Sequence, residues 1–277
     1  MAAGVRLLER LAGGEWGAYL GDIADGRRVV FKPLPVHSIF AESRVRAAVG
    51  MAESLRVGGY PAPRYLDVVV IDDQVCTLQE FVSGHVPVVL GTQHATSLIE
   101  LWSSHQAAAP VPDRSWGEAL VERLRDPDSP DQRMLRGSSD SRIRRLAMEM
   151  AAVGLETGPG LFRSGDIVHG DFHHRNLLTD HGRVTAVIDW EGARAGDSRW
   201  DLVTLGWSSP PGSGSVDPAA LALVRTEVDV SVPTEVRRPL AAAMALEKLA
   251  YGLRAGPAAR SWAVAITRGW LRPQWVR

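Results

Sequence analysis

Through the first 82 residues, apolar and polar positions alternate in short runs, the mark of half-buried strands. Residues 19–23 and 28–32 flank Asp25-Gly26, a strong hairpin signal because the tight turns that match strand twist need positive φ. Ser38 stands where it could cap a helix reaching about Val57, closed by Gly58-Gly59 and then Pro61-Ala62-Pro63. Two further strands follow, 65–71 and 74–81, joined by Asp72-Asp73. The predicted order is strand, strand, helix, strand, strand.

From about His94 the period lengthens to that of helices rich in Ala and Leu. Helices are predicted over 96–109, 116–124, 141–155, 218–228 and 233–253, with loops at 126–130 and 207–218 where Pro, Ser, Gly and Asp cluster. Two short β runs, 167–169 and 184–188, interrupt the helical stretch. No repeat at solenoid spacing is present.

Composition narrows the class without naming a partner. The chain has 277 residues, 45% of them hydrophobic and 23% charged, and 31 Lys and Arg nearly balance 32 Asp and Glu. That balance gives no general pull toward nucleic acid or an anionic membrane. No apolar stretch approaches the length of a membrane span or a signal-peptide core, so a cytoplasmic protein is expected. The single cysteine, Cys76, lies among Val75, Thr77 and Leu78 and reads as a small buried hydrophobe, with a reactive thiol as the rarer reading.

The interrupting β runs carry the chemistry. His169-Gly170-Asp171-Phe172-His173-His174-Arg175-Asn176 is followed, after a turn at Asp180-His181-Gly182, by Val187-Ile188-Asp189-Trp190-Glu191. Asp171, Asn176 and Asp189 thus bring three oxygen-bearing side chains to one loop edge. Phosphoryl transfer asks little covalent work of a protein: an oriented hydroxyl, metal between the phosphates, and charge neutralised. A carboxylate for the hydroxyl proton, with an Asn and a second carboxylate for Mg²⁺, would supply this. The same segment also offers His169, Asp171, His173 and His174 as a zinc cluster. The other histidines, His37, His85, His94, His105 and His181, show no matching second cluster for a dinuclear centre.

These residues resemble the aminoglycoside phosphotransferase family, whose pattern is His-Gly-Asp, four residues, Asn, then Ile-Asp, Gly-Asp and a late Asp-Leu. Here the later part reads Gly196-Asp197-Ser198-Arg199-Trp200-Asp201-Leu202, with Ser198 where the family often has Pro. The resemblance is strong over 168–202, moderate over 27–84 and weak elsewhere. It implies an α+β, bilobal, protein-kinase-like fold: a small antiparallel-sheet N-lobe with one helix, 1–82, and a larger, mostly helical C-lobe, 83–277. It implies a phosphotransferase with ATP or GTP as co-substrate, Mg²⁺ as cofactor and a small hydroxylated molecule as acceptor, possible substrates including an antibiotic. By resemblance Asp171 is the base, Asn176 and Asp189 hold magnesium, and His169, Asp197 and Asp201 brace the loop.

The same resemblance gives Lys32 to the nucleotide phosphates, with a helix glutamate as partner. Glu53 is favoured over Glu42, although the expected position falls near Ala48 or Val49. Gly14, within Gly13-Gly14-Glu15-Trp16-Gly17, stands either in a loop over the phosphates or in a plain turn. The Gln79 carbonyl and Phe81 amide are the candidate contacts to a purine edge. His173 and Glu191 are candidates at the acceptor, and His105 reads as packed inside a helix. Two rivals stay open: a metabolic kinase for an amino alcohol, sugar or homoserine-like substrate, and a silent kinase-like module that only binds a ligand. A protein kinase is disfavoured, since no Ala-Pro-Glu and no long activation loop follow Asp189.

Overall fold

In the computed structural model, residues 4–11, 17–35, 40–207 and 215–270 are described. Strands β1 (Arg6–Leu11), β2 (Ala18–Asp22) and β3 (Arg28–Pro35) precede helix α1 (Glu42–Val57), and β4 (Tyr65–Ile71) and β5 (Gln74–Glu80) follow it. They form one antiparallel sheet in the order β1-β2-β3-β5-β4. The turns are those their residues favour. Gly26 has φ 84°, and Asp72 and Asp73 sit at φ 45° and 60°, a region Asp enters more readily than most residues. Helix α1 stops at Gly58-Gly59, with Gly59 at φ 91°. It starts at Glu42 with Ala41 as its cap residue, and Ser38 lies outside the described residues.

The sequence reading missed β1. Leu7 and Leu8 are adjacent, and the register with β2 shifts between Leu7 and Glu9, so a bulge breaks the alternation that would have revealed a strand. The strand is the exposed edge of the sheet, with no buried face to pattern it.

The rest of the chain is mostly helical: α2 (Thr92–Ser103), α3 (Ser115–Arg125), α4 (Pro130–Arg136), α5 (Ser141–Glu156), α6 (Arg199–Trp207), α7 (Pro218–Ser231), α8 (Thr234–Ala255) and α9 (Pro257–Trp270). Two small antiparallel ladders interrupt it. β6 (Asp166–Val168) pairs with β9 (Arg194–Gly196), and β7 (Leu177–Asp180) pairs with β8 (Arg183–Val187). The turn expected at 126–130 leads into helix α4, which the sequence pattern did not predict: Ser129 caps it and Pro130 opens it. The predicted loop at 207–218 falls largely outside the described residues.

One large core runs from α1 through α9, and it joins the two halves. Ala48, Ala52 and Tyr60 belong to it together with Phe172, Trp190, Trp200 and Leu246. Each fully buried Leu, Ile or Phe contributes about 1.5–3 kcal/mol. Smaller clusters, one of them Leu34, Val45, Val68 and Val75, fasten α1 to the sheet. Cys76 is buried, and burial pushes its thiol up, as a small core hydrophobe should behave. Among the described residues no helix is long and apolar enough to cross a membrane.

Candidate active site

The loop after β6 is fixed from below by buried carboxylates. Asp201, on α6, accepts hydrogen bonds from the backbone amides of His169 (2.8 Å) and Gly170 (2.9 Å) and from His105 Nδ1 (3.1 Å). Since His105 Nδ1 donates there, its Nε2 accepts from the Tyr60 hydroxyl at 3.0 Å. Asp197 receives the Arg163 amide (3.0 Å) and grips the Arg199 guanidinium. Asp166 receives the amides of Ala107 (2.8 Å) and Ser198 (3.1 Å). His169 spans the loop: Nε2–H donates to the Ile188 carbonyl (2.9 Å), and Nδ1 accepts from the Asp171 amide (3.3 Å). Both its ring nitrogens are therefore spent, which removes it from a zinc cluster. Burial holds its pKa below the ordinary histidine value.

On this base three oxygen-bearing side chains converge. Gly170, at φ 90°, turns the chain so that Asp171 faces outward, its side chain 48% exposed. Burial of the surrounding loop alone would raise the Asp171 pKa. The hydrogen bond and charge of His173, with Lys248 and His169 behind it, hold it well below the usual carboxylate range. His173 Nε2 lies 3.2 Å from Asp171 Oδ2. Asn176 donates Nδ2 to the Asp171 carbonyl (2.8 Å) and to its Oδ2 (3.2 Å). The backbone of Asn176 accepts the Ile188 amide at 2.8 Å, bringing Asp189 alongside. Asp189 itself sits at φ 74°, ψ 49°. For a residue other than Gly this left-handed geometry is uncommon and clusters at functional sites.

The sheet reaches down to meet this loop. The Lys32 ammonium contacts Asp189 Oδ1 and lies 3.0 Å from Glu191 Oε2. Burial would lower the Lys32 pKa, but Glu191 and then Asp189 overcome it and hold it raised. Asp189 is held low by Lys32, against burial that would lift it. Glu191 turns its other oxygen to Thr77 Oγ1, at 3.0 Å. Thr77 sits directly opposite Lys32 in the β3–β5 ladder, so both project from one face. The Tyr65 phenol is buried in the same place. Burial, with the two carboxylates beside it, pushes its ionisation well up.

Several expectations are corrected by this geometry. Glu53 does not reach Lys32; it pairs with Arg56 at 2.6 Å on its own helix, and Glu42 pairs with Arg46 at 2.8 Å. The reason is helical phase, because α1 turns Val45, Ala48, Ala52 and Leu55 inward and leaves its glutamates outward. Glu191, expected at the acceptor, is instead buried against Lys32 and Thr77. The Phe81 amide is spent on the Arg28 carbonyl at 3.1 Å, so it is not offered to a purine. Gln79 pairs with Val30 on that same β3 side, two residues along, which commits its backbone likewise. Its side chain is another matter: Oε1 is buried with no hydrogen-bond partner. Gly14 lies outside the described residues. Thr77 and Tyr65 were missed, and no local signal marks them, because their role depends on the pairing of strands distant in sequence.

Magnesium prefers oxygen ligands and keeps some of its water. Asn176 uses its nitrogen on Asp171, which leaves Oδ1 for a cation. Asp189 brings a carboxylate whose side chain is 39% exposed. The donor set fits a hard cation.

An antiparallel sheet with one helix, set on a helical body with a His-Gly-Asp loop and an Asp-bearing turn at the junction, is the kinase-like arrangement. The sequence matches the Phosphotransferase enzyme family over residues 14–230, and the chain belongs to that family. Hygromycin-B 4-O-kinase of Escherichia coli is 51% identical over 39 residues, a match covering 14% of this chain and only 11% of that protein. Among solved structures, aminoglycoside phosphotransferase APH(4)-Ia, as a thermostable mutant in ternary complex with ADP and hygromycin B, superposes with TM-score 0.66 at 21% identity. That likeness covers 97% of this chain and 96% of the other. Macrolide 2'-phosphotransferase MphH from Brachybacterium faecium superposes with TM-score 0.56 at 17% identity, covering 99% and 93%. At these identities the structures carry the fold.

Proposed function

We propose that this chain transfers the γ-phosphoryl group of ATP or GTP to a hydroxyl of a small molecule. The observation that carries the reading is the meeting of Lys32, from the sheet, with Asp189, Asn176 and Asp171 at one loop edge. Asp171 accepts the acceptor's hydroxyl proton. The oxygen so freed bonds to the γ-phosphorus while the β–γ bridging P–O bond breaks and the nucleoside diphosphate leaves. Lys32 holds phosphate oxygens. Asn176 and Asp189 would hold magnesium, which when bound neutralises charge on the phosphates. His173 keeps Asp171 ionised and in place. The sheet region 1–82 then serves the nucleotide and 83–277 the acceptor, in a protein of the cytoplasm.

The acceptor carries few positive charges. Each ammonium of a polycation must exchange its hydration for a charge partner. Yet the positive charge of Lys248 already bears on Asp171, and Glu247, after which the sequence has no Asp or Glu, is 3.1 Å from Arg123. The test is an assay of nucleoside diphosphate release across hydroxylated antibiotics and metabolites, hygromycin B and macrolides among them. Acceptor-dependent release, abolished in Asp171→Asn, is the expected result. Absence of nucleotide turnover with every acceptor, despite bound MgATP, would favour the silent ligand-binding module.

A further inference from the structure

Among the described residues, Lys32 has two carboxylate partners, and they are not equivalent. Asp189 is partly exposed and follows Ile188, whose amide donates to the Asn176 carbonyl, so a cation held by Asn176 and Asp189 would sit beside it. Glu191 is nearly closed off, with its side chain 2% exposed. One of its oxygens lies 3.0 Å from the Lys32 ammonium and the other 3.0 Å from Thr77 Oγ1. Lys32 and Thr77 are cross-strand neighbours, so a single sheet face orients both ends of the carboxylate. Were Asp189 to turn to a metal ion, Glu191 would still hold Lys32. A buried ammonium left without any partner would be strongly disfavoured.

Helix α1 is built to leave this job to the turn. It packs against the turn at 190–192, and the residues it buries are Val45, Ala48, Ala52 and Leu55. Alanines there let the turn approach closely. The helix carboxylates, Glu42 and Glu53, close on arginines of their own helix instead. Resting on the phosphotransferase reading of the site, we infer that Glu191 is the positioning residue for Lys32, supplied by the loop that bears Asp189 and oriented by Thr77.

The experiment is a double-mutant cycle read on MgATP hydrolysis with water as acceptor, beside MgADP binding by calorimetry. Glu191→Gln should lower kcat/KM for MgATP by about 30-fold or more, and Glu191→Asp should retain a larger share. In a Lys32→Met background, adding Glu191→Gln should change kcat/KM by less than about threefold, because a residue acting through Lys32 has nothing left to act on. Thr77→Val removes only the orienting hydroxyl. It should cost several-fold with Lys32 present and nothing with Met there, a reading that holds even if Glu191→Gln fails to fold. Additive losses in the two backgrounds, or near-normal kinetics of folded Glu191→Gln, would overturn the inference while leaving the phosphotransferase reading standing. A wild-type protein that neither binds MgADP nor hydrolyses MgATP would overturn both.

Discussion

On the proposed function Asp171 is the residue on which the chemistry turns, and its surroundings suit a base that remains ionised. Its carboxylate faces outward while His173 and Asn176 hold one oxygen. Asp171→Asn keeps the shape and removes the proton acceptor, so kcat should fall by about 10²–10⁴ with little change in nucleotide affinity. Single-turnover kinetics beside calorimetry would separate the two, and near-normal turnover in a folded variant would end this assignment. His174 makes a different kind of prediction. It is buried, and burial, then the charges of His173, Arg175 and His94, lowers its pKa to about 4. Unfolded, it would titrate near 6.5, so between those values the unfolded chain binds a proton that the folded chain refuses. Stability from this residue is complete above about pH 6.5 and is lost as pH falls toward 4. Tm measured from pH 7 to 4.5 should fall less steeply in His174→Gln than in the parent. Equal slopes would show that folding does not change the affinity of this imidazole for a proton.

At the scale of elements, the loop depends on close contact between parts that are far apart in sequence. A Cβ on Gly196, in β9, would come within 2.6 Å of the Trp116 ring, which is itself wedged against Phe162 and Trp200. Gly196→Ala should therefore destabilise the fold by about 1–3 kcal/mol and lower Tm by several degrees in thermal melts. What the sequence made legible follows the same division. Hairpins at Asp25-Gly26 and Asp72-Asp73, the end of α1 at Gly58 and the His-Gly-Asp loop rest on local chemistry, and all could be read from neighbouring residues. The partner of Lys32 could not. It depends on which face α1 turns inward and on β3 lying beside β5 rather than β4, so that Lys32 meets Thr77. The edge strand β1 was hidden for another reason, a bulge that spoils its alternation. The Gln79 and Phe81 backbone groups were misassigned because strand parity, which decides the direction of each N–H and C=O, needs a register that only pairing supplies.

For the molecule as a whole, the proposed function ties the choice of acceptor to charge. With Lys248 acting on Asp171, kcat/KM should be higher for neutral or singly charged hydroxylated compounds than for kanamycin-like polycations. A side-by-side kinetic comparison checks this, and clear superiority of the polycations would place the acceptor among residues other than these. Protein purified without chelator should also hold no stoichiometric zinc by metal analysis, since His169 has both nitrogens engaged. The shared core has one more consequence, for synthesis. Ala48 and Ala52 of α1 are covered by a core that includes Trp190, and Tyr60 meets Trp190 edge to face at 5.5 Å. On the ribosome, the sheet and its helix must wait for about a hundred further residues, from Glu80 to Trp190, before that face is closed. At roughly 5–20 residues per second this leaves an apolar surface open for about ten seconds. The sheet and α1, made before the residues that cover them, are thus sealed late, and the nascent protein is most exposed to proteases in that interval.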